Sequence, residues 1–191
     1  MSYDPPRPAG RLLLTPEDRE APARVRRLRR LGLGRRPEPG LDAFADRLAE
    51  LADAPYAMVN FLVENGQFFA GLHAPDPAPA ADGDGPGPVF GRAHPRDHGF
   101  CPYVAARRKA LVLEDVRDYP RFAGNPVVDE FGIRSYLGAP LIDSTGTVLG
   151  TVGAADVRPR PWGKAGLETI KATAAELVAR LERRADDGLP R

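Results

Sequence analysis

The chain has 191 residues, of which 42% are hydrophobic and 28% are charged, which suits one domain of ordinary size with a single core. Lysine and arginine total 27 against 26 acidic residues, so the net charge of +1 excludes the strongly basic class of nucleic-acid-binding proteins. A single cysteine, Cys101, excludes an internal disulfide and a multi-cysteine zinc site.

The sequence contains no apolar run of about 18 residues, the length needed to span a bilayer. Its amino terminus lacks the basic start and apolar run of a signal peptide. Arginine far outnumbers lysine, as in proteins from GC-rich bacterial genomes. We therefore expect a bacterial, cytoplasmic protein with neither a membrane nor nucleic acid as its partner.

The first third of the chain predicts a tail and two helices. Residues 1–14 lack periodicity and predict a flexible N-terminal tail. Thr15 followed by Pro16 predicts the start of a helix, with a hydroxyl N-cap and proline at the first helical position. The arginines of residues 24–36 favour a solvated helix face over a nucleic-acid or membrane contact. Apolar residues at helical spacing predict a second helix over residues 41–51.

A β-hairpin and a long loop are predicted next. Residues 56–63 are too apolar for a half-exposed strand and predict a central one. The turn 64–66 has an Asn-Gly pair and leads into a second strand over residues 67–72. Residues 74–97 are rich in proline and glycine, so we predict a long irregular loop that is either functional or disordered.

Short elements follow this loop. Residues 99–108 predict a short helix, and residues 111–113 predict a brief strand. A further short helix is predicted from Asn125 and Pro126, with proline at the first helical position.

The last third predicts a second hairpin and a closing helix. Residues 133–142 and 148–155 are its two strands, and an apolar stripe after Pro161 predicts the helix. Sequential hairpins favour an α+β class, with an antiparallel sheet of about five or six strands and flanking helices. We expect one domain over residues 15–184 and a C-terminal tail over 185–191.

Four segments carry a resemblance to a known family by their order and spacing. They are His98-Gly-Phe-Cys101, Asp115-Val-Arg-Asp-Tyr-Pro-Arg-Phe-Ala-Gly-Asn-Pro126, Ile133-Arg-Ser-Tyr-Leu-Gly-Ala-Pro-Leu141 and Gly146-Thr-Val-Leu-Gly-Thr-Val152. Together they resemble bacterial GAF domains over residues 15–182. The resemblance implies a ligand pocket between one face of the sheet and the small helices and loops.

The pocket of such a domain suggests which residues would meet a ligand. Gly138 and Gly150 lie on neighbouring predicted strands and would leave room over one face of the sheet. Two acids match positions of acids in GAF domains, Asp156 at the end of the last strand and Asp129 over the pocket mouth, although Asp156 could equally cap a turn. The candidate ligand-binding residues are Phe61, Phe69, Cys101, Tyr103, Asp129, Tyr136 and Asp156.

The resemblance also raises known GAF chemistries that the residues do not match. Some GAF domains reduce free methionine sulfoxide with a cysteine placed before an aspartate, but Val128 occupies that position here and no second cysteine is present. A bilin could attach to Cys101 near His98, but the rest of the photoreceptor pattern is missing. The residues of the cyclic-nucleotide-binding pattern occur in the wrong order. We therefore expect no catalytic residue and no enzyme activity.

The remaining reactive residues have two interpretations each. Cys101 near a helix start could be a redox or covalent-attachment site, but packing or pocket lining is favoured for a lone cysteine in an apolar context. His73, His94 and His98 could form a metal or haem site, but exposed loop histidines are favoured because proline interrupts helical spacing. We expect no metal, and the cofactor is unknown.

The sequence leaves three functions open. The first is a non-catalytic sensor that binds an unknown small molecule and signals through its flanking helices or a partner protein. The second is an interaction module with a degenerate pocket, in which residues 15–34 and 163–184 form a homodimer. The third is a redox or covalent-cofactor sensor that uses Cys101.

Overall fold

A computed structural model describes residues 15–76 and 88–187 of the chain. The predicted tail over residues 1–14 lies outside the described residues. The strands are β1 (Tyr56–Val63), β2 (Gly66–His73), β3 (Ala93–His94), β4 (Leu111–Leu113), β5 (Ser135–Ile142) and β6 (Val148–Asp156). The helices are α1 (Ala21–Leu31), α2 (Pro39–Ala52), α3 (Cys101–Arg107), α4 (Pro120–Ala123), α5 (Pro126–Phe131) and α6 (Gly163–Asp187), with a 3-10 turn at Val116–Asp118.

The six strands form one sheet in the order β3-β2-β1-β6-β5-β4, and every neighbouring pair is antiparallel. The predicted α+β class is therefore confirmed. Strands β1 and β6 lie at the centre and are buried along almost their whole length. Burial on both faces explains why these two segments are nearly continuous apolar runs.

The first hairpin forms as predicted, but its glycine has another role. Val63 pairs with Gly66, so the two turn residues are Glu64 and Asn65. A Cβ atom at Gly66 would lie 2.5 Å from the carbonyl oxygen of His94. The glycine therefore permits the close approach of β3.

The first helix begins later than predicted, at Ala21 instead of Thr15. In the segment before it, the Asp18 carboxylate binds the guanidinium of Arg24. Arg24 also donates to the carbonyl of Val148 and is only 1% exposed. The prediction of a solvated basic face is therefore wrong at Arg24, because a buried charge needs partners of this kind.

The two faces of the sheet pack against different layers. Leu48 of α2 and Ile170 of α6 share one buried cluster with Phe61 of β1. On the opposite face, Tyr56 and Met58 of β1 join the short helices and their loops in a second buried cluster. The long helices thus cover one face, and the small helices and loops cover the other.

The last helix ends beyond the predicted boundary. Helix α6 continues to Asp187, three residues past the expected end of the domain at 184. None of the helices in the described ranges is both long and apolar enough to cross a membrane.

Candidate functional site

A small cavity lies between the sheet and the layer of short helices. It measures about 40 Å³ and is almost entirely apolar. Its lining comes from the sheet strands, α3, α5 and the segment before α3. The lining residues are Met58, Gln67, Phe69, Phe90, His94, His98, Gly99, Phe100, Cys101, Val127, Ile133, Tyr136 and Ala155.

The aromatic ring of Phe90 occupies the outer side of this cavity. Its centroid lies 5.0 Å from that of Tyr56 and 4.7 Å from that of Phe131. It also lies 5.9 Å from Phe69 and 5.3 Å from the imidazole of His94. These separations are typical of favourable aromatic packing. The Phe90 ring is therefore one wall of the cavity, packed against aromatic side chains from β1, β2, β3 and α5.

Buried amide groups fasten the segment before α3 to the sheet. The Gln67 side chain on β2 donates to the carbonyls of Pro95 and His98, at 2.9 and 2.6 Å. Asn60 on β1 in turn donates to the Gln67 side chain at 3.1 Å and to Thr151 Oγ1 at 3.4 Å. Asn60 and Thr151 are fully buried, so these hydrogen bonds fix the position of the segment before α3 relative to the sheet.

Cys101 is inaccessible at the first turn of α3. Its Sγ lies 3.4 Å from the hydroxyl oxygen of Tyr136. Burial raises the pKa of the Cys101 thiol, although hydrogen bonds to Thr151 and Tyr136 oppose this effect. Since the thiolate is the reactive form, the thiol is held unreactive near neutral pH.

The space above the strand glycines is occupied by Tyr136. A Cβ at Gly138 would lie 2.2 Å from the Tyr136 hydroxyl oxygen, and one at Gly153 would lie 3.2 Å from the same ring. Gly150 instead lets β6 approach β1, because its Cβ would lie 1.9 Å from the carbonyl oxygen of Asn60. Gly138 and Gly153 thus make space for the Tyr136 ring, and Gly150 allows β6 to approach β1. The space over the sheet that the sequence predicted for a ligand is occupied by Tyr136.

Three of the predicted site residues meet at the cavity, namely Phe69, Cys101 and Tyr136. Phe61 lies on the opposite face of the sheet, in the cluster under the long helices, so its assignment to the pocket is corrected. The reason is the two-residue alternation of a strand, which sends Phe61 away from Tyr56 and Met58.

The other three candidates lie outside the cavity lining. Tyr103 is buried beneath Phe122, with ring centroids 5.0 Å apart. Asp156 accepts from the backbone N–H of Arg158 and pairs with Arg160 at 3.1 Å, which is the capping role left open above. Asp129 is exposed on α5.

Sequence reasoning missed the residue that dominates the pocket, Phe90. It lies in the segment interpreted as a proline- and glycine-rich loop, where a single large aromatic side chain was the available signal. His94 was assigned to an exposed loop, but it forms β3 and lines the cavity. His73 instead pairs with Asp46 at 2.8 Å.

The charged groups of the site lie at its mouth. His98 Nε2 lies 3.6 Å from a carboxylate oxygen of Glu130, and its Nδ1 lies 3.1 Å from Asp97. The pKa of His94 is lowered by burial among the aromatic rings, with a smaller contribution from His98. Within the described ranges, no three histidine, cysteine or acidic side chains converge as a metal site would require.

A second concave surface lies on the other side of the molecule. It is an open groove of about 730 Å³ between α6, strand β5 and the residues 108–110 that precede β4. Small and apolar residues form its floor, and cationic residues lie along its rim. The lining residues are Arg108, Lys109, Ala110, Ala139, Pro140, Ile142, Leu167, Lys171, Ala174, Ala175, Val178, Ala179 and Glu182.

Comparison with known sequences identifies a domain model that fits most of the chain. Residues 36–181 match the model described as the GAF domain. A 92-residue segment is 34% identical to a cyclic di-GMP phosphodiesterase of Pseudomonas aeruginosa, covering 47% of this chain and 16% of that protein. The chain therefore spans less than a fifth of that relative's length.

Solved structures with the same fold are distant in sequence. The free methionine-R-sulfoxide reductase of Neisseria meningitidis superposes with a TM-score of 0.58 and 17% identity, over 78% of this chain and 79% of that one. The GAF domain of an Acinetobacter phosphoenolpyruvate-protein phosphotransferase gives 0.57 and 16%, over 92% and 100%. At such identities the likeness establishes the fold alone.

Proposed function

Because this chain belongs to the GAF domain family, a sensor and regulatory fold, we propose that it is a non-catalytic sensor whose small ligand displaces the Phe90 ring from the pocket over the sheet. The observation that carries the proposal is the position of Phe90. Its ring packs among four aromatic side chains beside an apolar cavity that is lined from several elements, as ligand sites are. A cavity of about 40 Å³ is far smaller than ligand pockets of about 300–1,000 Å³, so a ligand that enters must displace this ring.

The chemistry of the pocket supports binding over catalysis. Cys101 is a buried thiol with a raised pKa, which opposes a nucleophilic or redox role. Val128 stands where the reductase pattern has its attacking cysteine. Neither position supplies an activated nucleophile.

The sheet offers a route by which binding could reach the flanking helices. Strands β1 and β6 form the floor of the pocket through Met58 and Ala155. The same strands pack on their other face against the helix layer, through Phe61 and Val152. Because protein cores are close-packed, a small shift of β1 and β6 on binding would displace the helices α1, α2 and α6 that pack against them.

Native mass spectrometry and thermal unfolding with a metabolite panel test this function. We expect a bound or added small molecule to raise Tm by about 5–10 °C at a hundredfold excess over Kd. Ala155→Leu narrows the cavity and should abolish the rise, whereas Ala165→Leu on the exposed start of α6 should retain it. A ligand-free monomer whose Tm no metabolite raises would contradict the proposal.

A homodimerisation module is the second candidate function. The groove beside α6 favours it, because its floor of alanine, valine and leucine side chains is apolar and open. A second copy that packs its own α6 there would cover this surface. Under this candidate the pocket is degenerate, and Phe90 fills it permanently.

A further inference from the structure

Four side chains surround the Phe90 ring and are called here the aromatic cage: Tyr56, Phe69, His94 and Phe131. Phe69 lies nearly parallel to the Phe90 ring, at an interplanar angle of 16°, and Phe131 meets it edge-on at 68°. A flat six-membered ring in the position of Phe90 therefore stacks on Phe69 and makes an edge contact with Phe131 at the same time.

One cage residue carries an unused polar group. The Tyr56 side chain is 0% exposed, and its hydroxyl has no hydrogen-bond partner within residues 15–76 and 88–187. A buried hydroxyl without a partner is energetically costly, and the Phe90 ring, whose centroid lies 5.0 Å from that of Tyr56, offers it no polar atom. A ligand with an oxygen at this position would remove that cost.

The backbone on the two sides of Phe90 is held differently. After it, the carbonyl of Gly91 binds His94 Nε2 at 2.6 Å, and Arg92 pairs with Asp42 at 2.9 Å. Before it, Val89 is 76% exposed. The Phe90 side chain is thus held in the cage mainly by ring packing, and it can leave without breaking the bonds made by Arg92.

We propose that the aromatic cage is a binding site for a compact molecule with one aromatic ring and one hydroxyl or carbonyl oxygen, which replaces the Phe90 ring and pairs with the Tyr56 hydroxyl. The inference rests on the proposed sensor function and names the chemical class of its ligand. Displacement of the Phe90 ring would enlarge the existing cavity of about 40 Å³ by the volume of one aromatic ring, which is the size of the proposed ligand.

The same cage could in principle hold an alkylated ammonium ion, but the lining opposes this alternative. Rings attract cations most strongly when they are electron-rich, and two of the four cage rings are phenylalanines. The residues that line the cavity include no carboxylate. The acids that act on cage residues are Asp156, which pairs with Arg160, and Glu130, which lies beside His98. A cation would therefore be desolvated without a carboxylate in direct contact.

Phenol and toluene, which differ by a hydroxyl in place of a methyl group, are the probes, with tetramethylammonium as the cationic alternative. Their dissociation constants are measured by NMR titration of the full chain, as wild type, Phe90→Ala and Val89→Ala. We expect Phe90→Ala to bind phenol at least about tenfold more tightly than the wild type, because no ring has to be displaced. Val89→Ala, at the exposed neighbour, should bind as the wild type does.

The role of the Tyr56 hydroxyl is tested in the Phe90→Ala background. We expect the preference of this variant for phenol over toluene to exceed that of Phe90→Ala/Tyr56→Phe about fivefold, the value of one ordinary hydrogen bond. The cost of dehydrating the phenol hydroxyl is the same in both variants, and toluene should bind both equally. If Phe90→Ala fails to fold by near-ultraviolet circular dichroism, Phe90→Val replaces it with the same expectation.

The possible failures are distinguishable. If tetramethylammonium binds more tightly than phenol, or if a folded Phe90→Ala binds neither ring, the proposed ligand class is overturned even where a metabolite raises the Tm of the wild type. If Phe90→Ala binds phenol but the wild type binds no ring and no metabolite, the cage chemistry is supported and the sensor function fails.

Discussion

At the scale of single residues, His94 is a cavity-lining side chain whose protonation depends on the pH of the solution. Its imidazole lies 4.8 Å from the Phe69 ring and binds the Gly91 carbonyl at 2.6 Å. Burial lowers its pKa below the ordinary value of 6.5; the positive charge that His98 can carry adds to this, and the Gly91 carbonyl and Glu130 oppose it. The folded protein therefore favours the neutral ring.

This lowered pKa predicts that acid destabilises the wild type through His94. Above pH 6.5 the imidazole is mostly neutral in the folded and the unfolded chain, so its full contribution to the free energy of unfolding is present. As the pH falls below 6.5, the unfolded chain takes up the proton first, and stability is lost toward the folded-state pKa. Urea unfolding at pH 8 and pH 5 should show a smaller loss for His94→Gln than for the wild type. Equal losses would contradict the prediction.

At the scale of elements, the contact between α2 and β2 sets the position of the long-helix layer. A Cβ at Gly71 would lie 2.3 Å from the carbonyl oxygen of Leu41, so the helix rests directly on the strand backbone. The Asp42 carboxylate accepts from the backbone N–H of Leu72 at 2.9 Å and also pairs with Arg92. Helix α2, strand β2 and the segment that follows Phe90 are therefore held together by direct contacts.

Gly71→Ala should disrupt this contact. The added methyl group meets backbone atoms that no side-chain rotation can move aside, so we expect the free energy of unfolding to fall by about 3 kcal/mol. Gly124→Ala is the matched control, because no described atom lies within 4 Å of its added Cβ, and we expect a change within about 0.5 kcal/mol. Urea unfolding midpoints measure both. Similar midpoints for the two variants would exclude the close contact.

At the scale of the whole molecule, the groove beside α6 bears on the oligomeric state. Ala175 is exposed and lines the groove, whereas Ala172 is exposed and lies outside its lining. Lys109 and Lys171 contribute positive charge to the rim. A further cation within the groove would repel a second copy that presents the same surface.

Under the dimer candidate, Ala175→Arg should raise the dissociation constant of the dimer at least about tenfold. Ala172→Arg, with the same change of size and charge, should leave the dimer intact. Size-exclusion chromatography with light scattering across a dilution series measures both. A wild-type monomer at every concentration would contradict the candidate, and dissociation by Ala172→Arg alone would place the interface elsewhere on the helix.

The sequence by itself determined the class of fold and the order of its elements, because these depend on local chemistry. The first hairpin follows from apolar runs on either side of a tight turn, and α5 starts where Pro126 follows Asn125, whose side chain caps the helix. The central position of β1 followed from its continuous apolar run.

Only the tertiary structure decided what each buried residue meets, because those contacts join segments far apart in the chain. Strand register sends Phe61 to the face under the long helices and Tyr56 to the face under the small helices. Arg24 is buried because Asp18 and a distant strand carbonyl satisfy its charge, which no local pattern encodes. Phe90 packs at the pocket for the same reason: three of its neighbours in the cage, Tyr56, Phe69 and Phe131, lie far from it in the sequence.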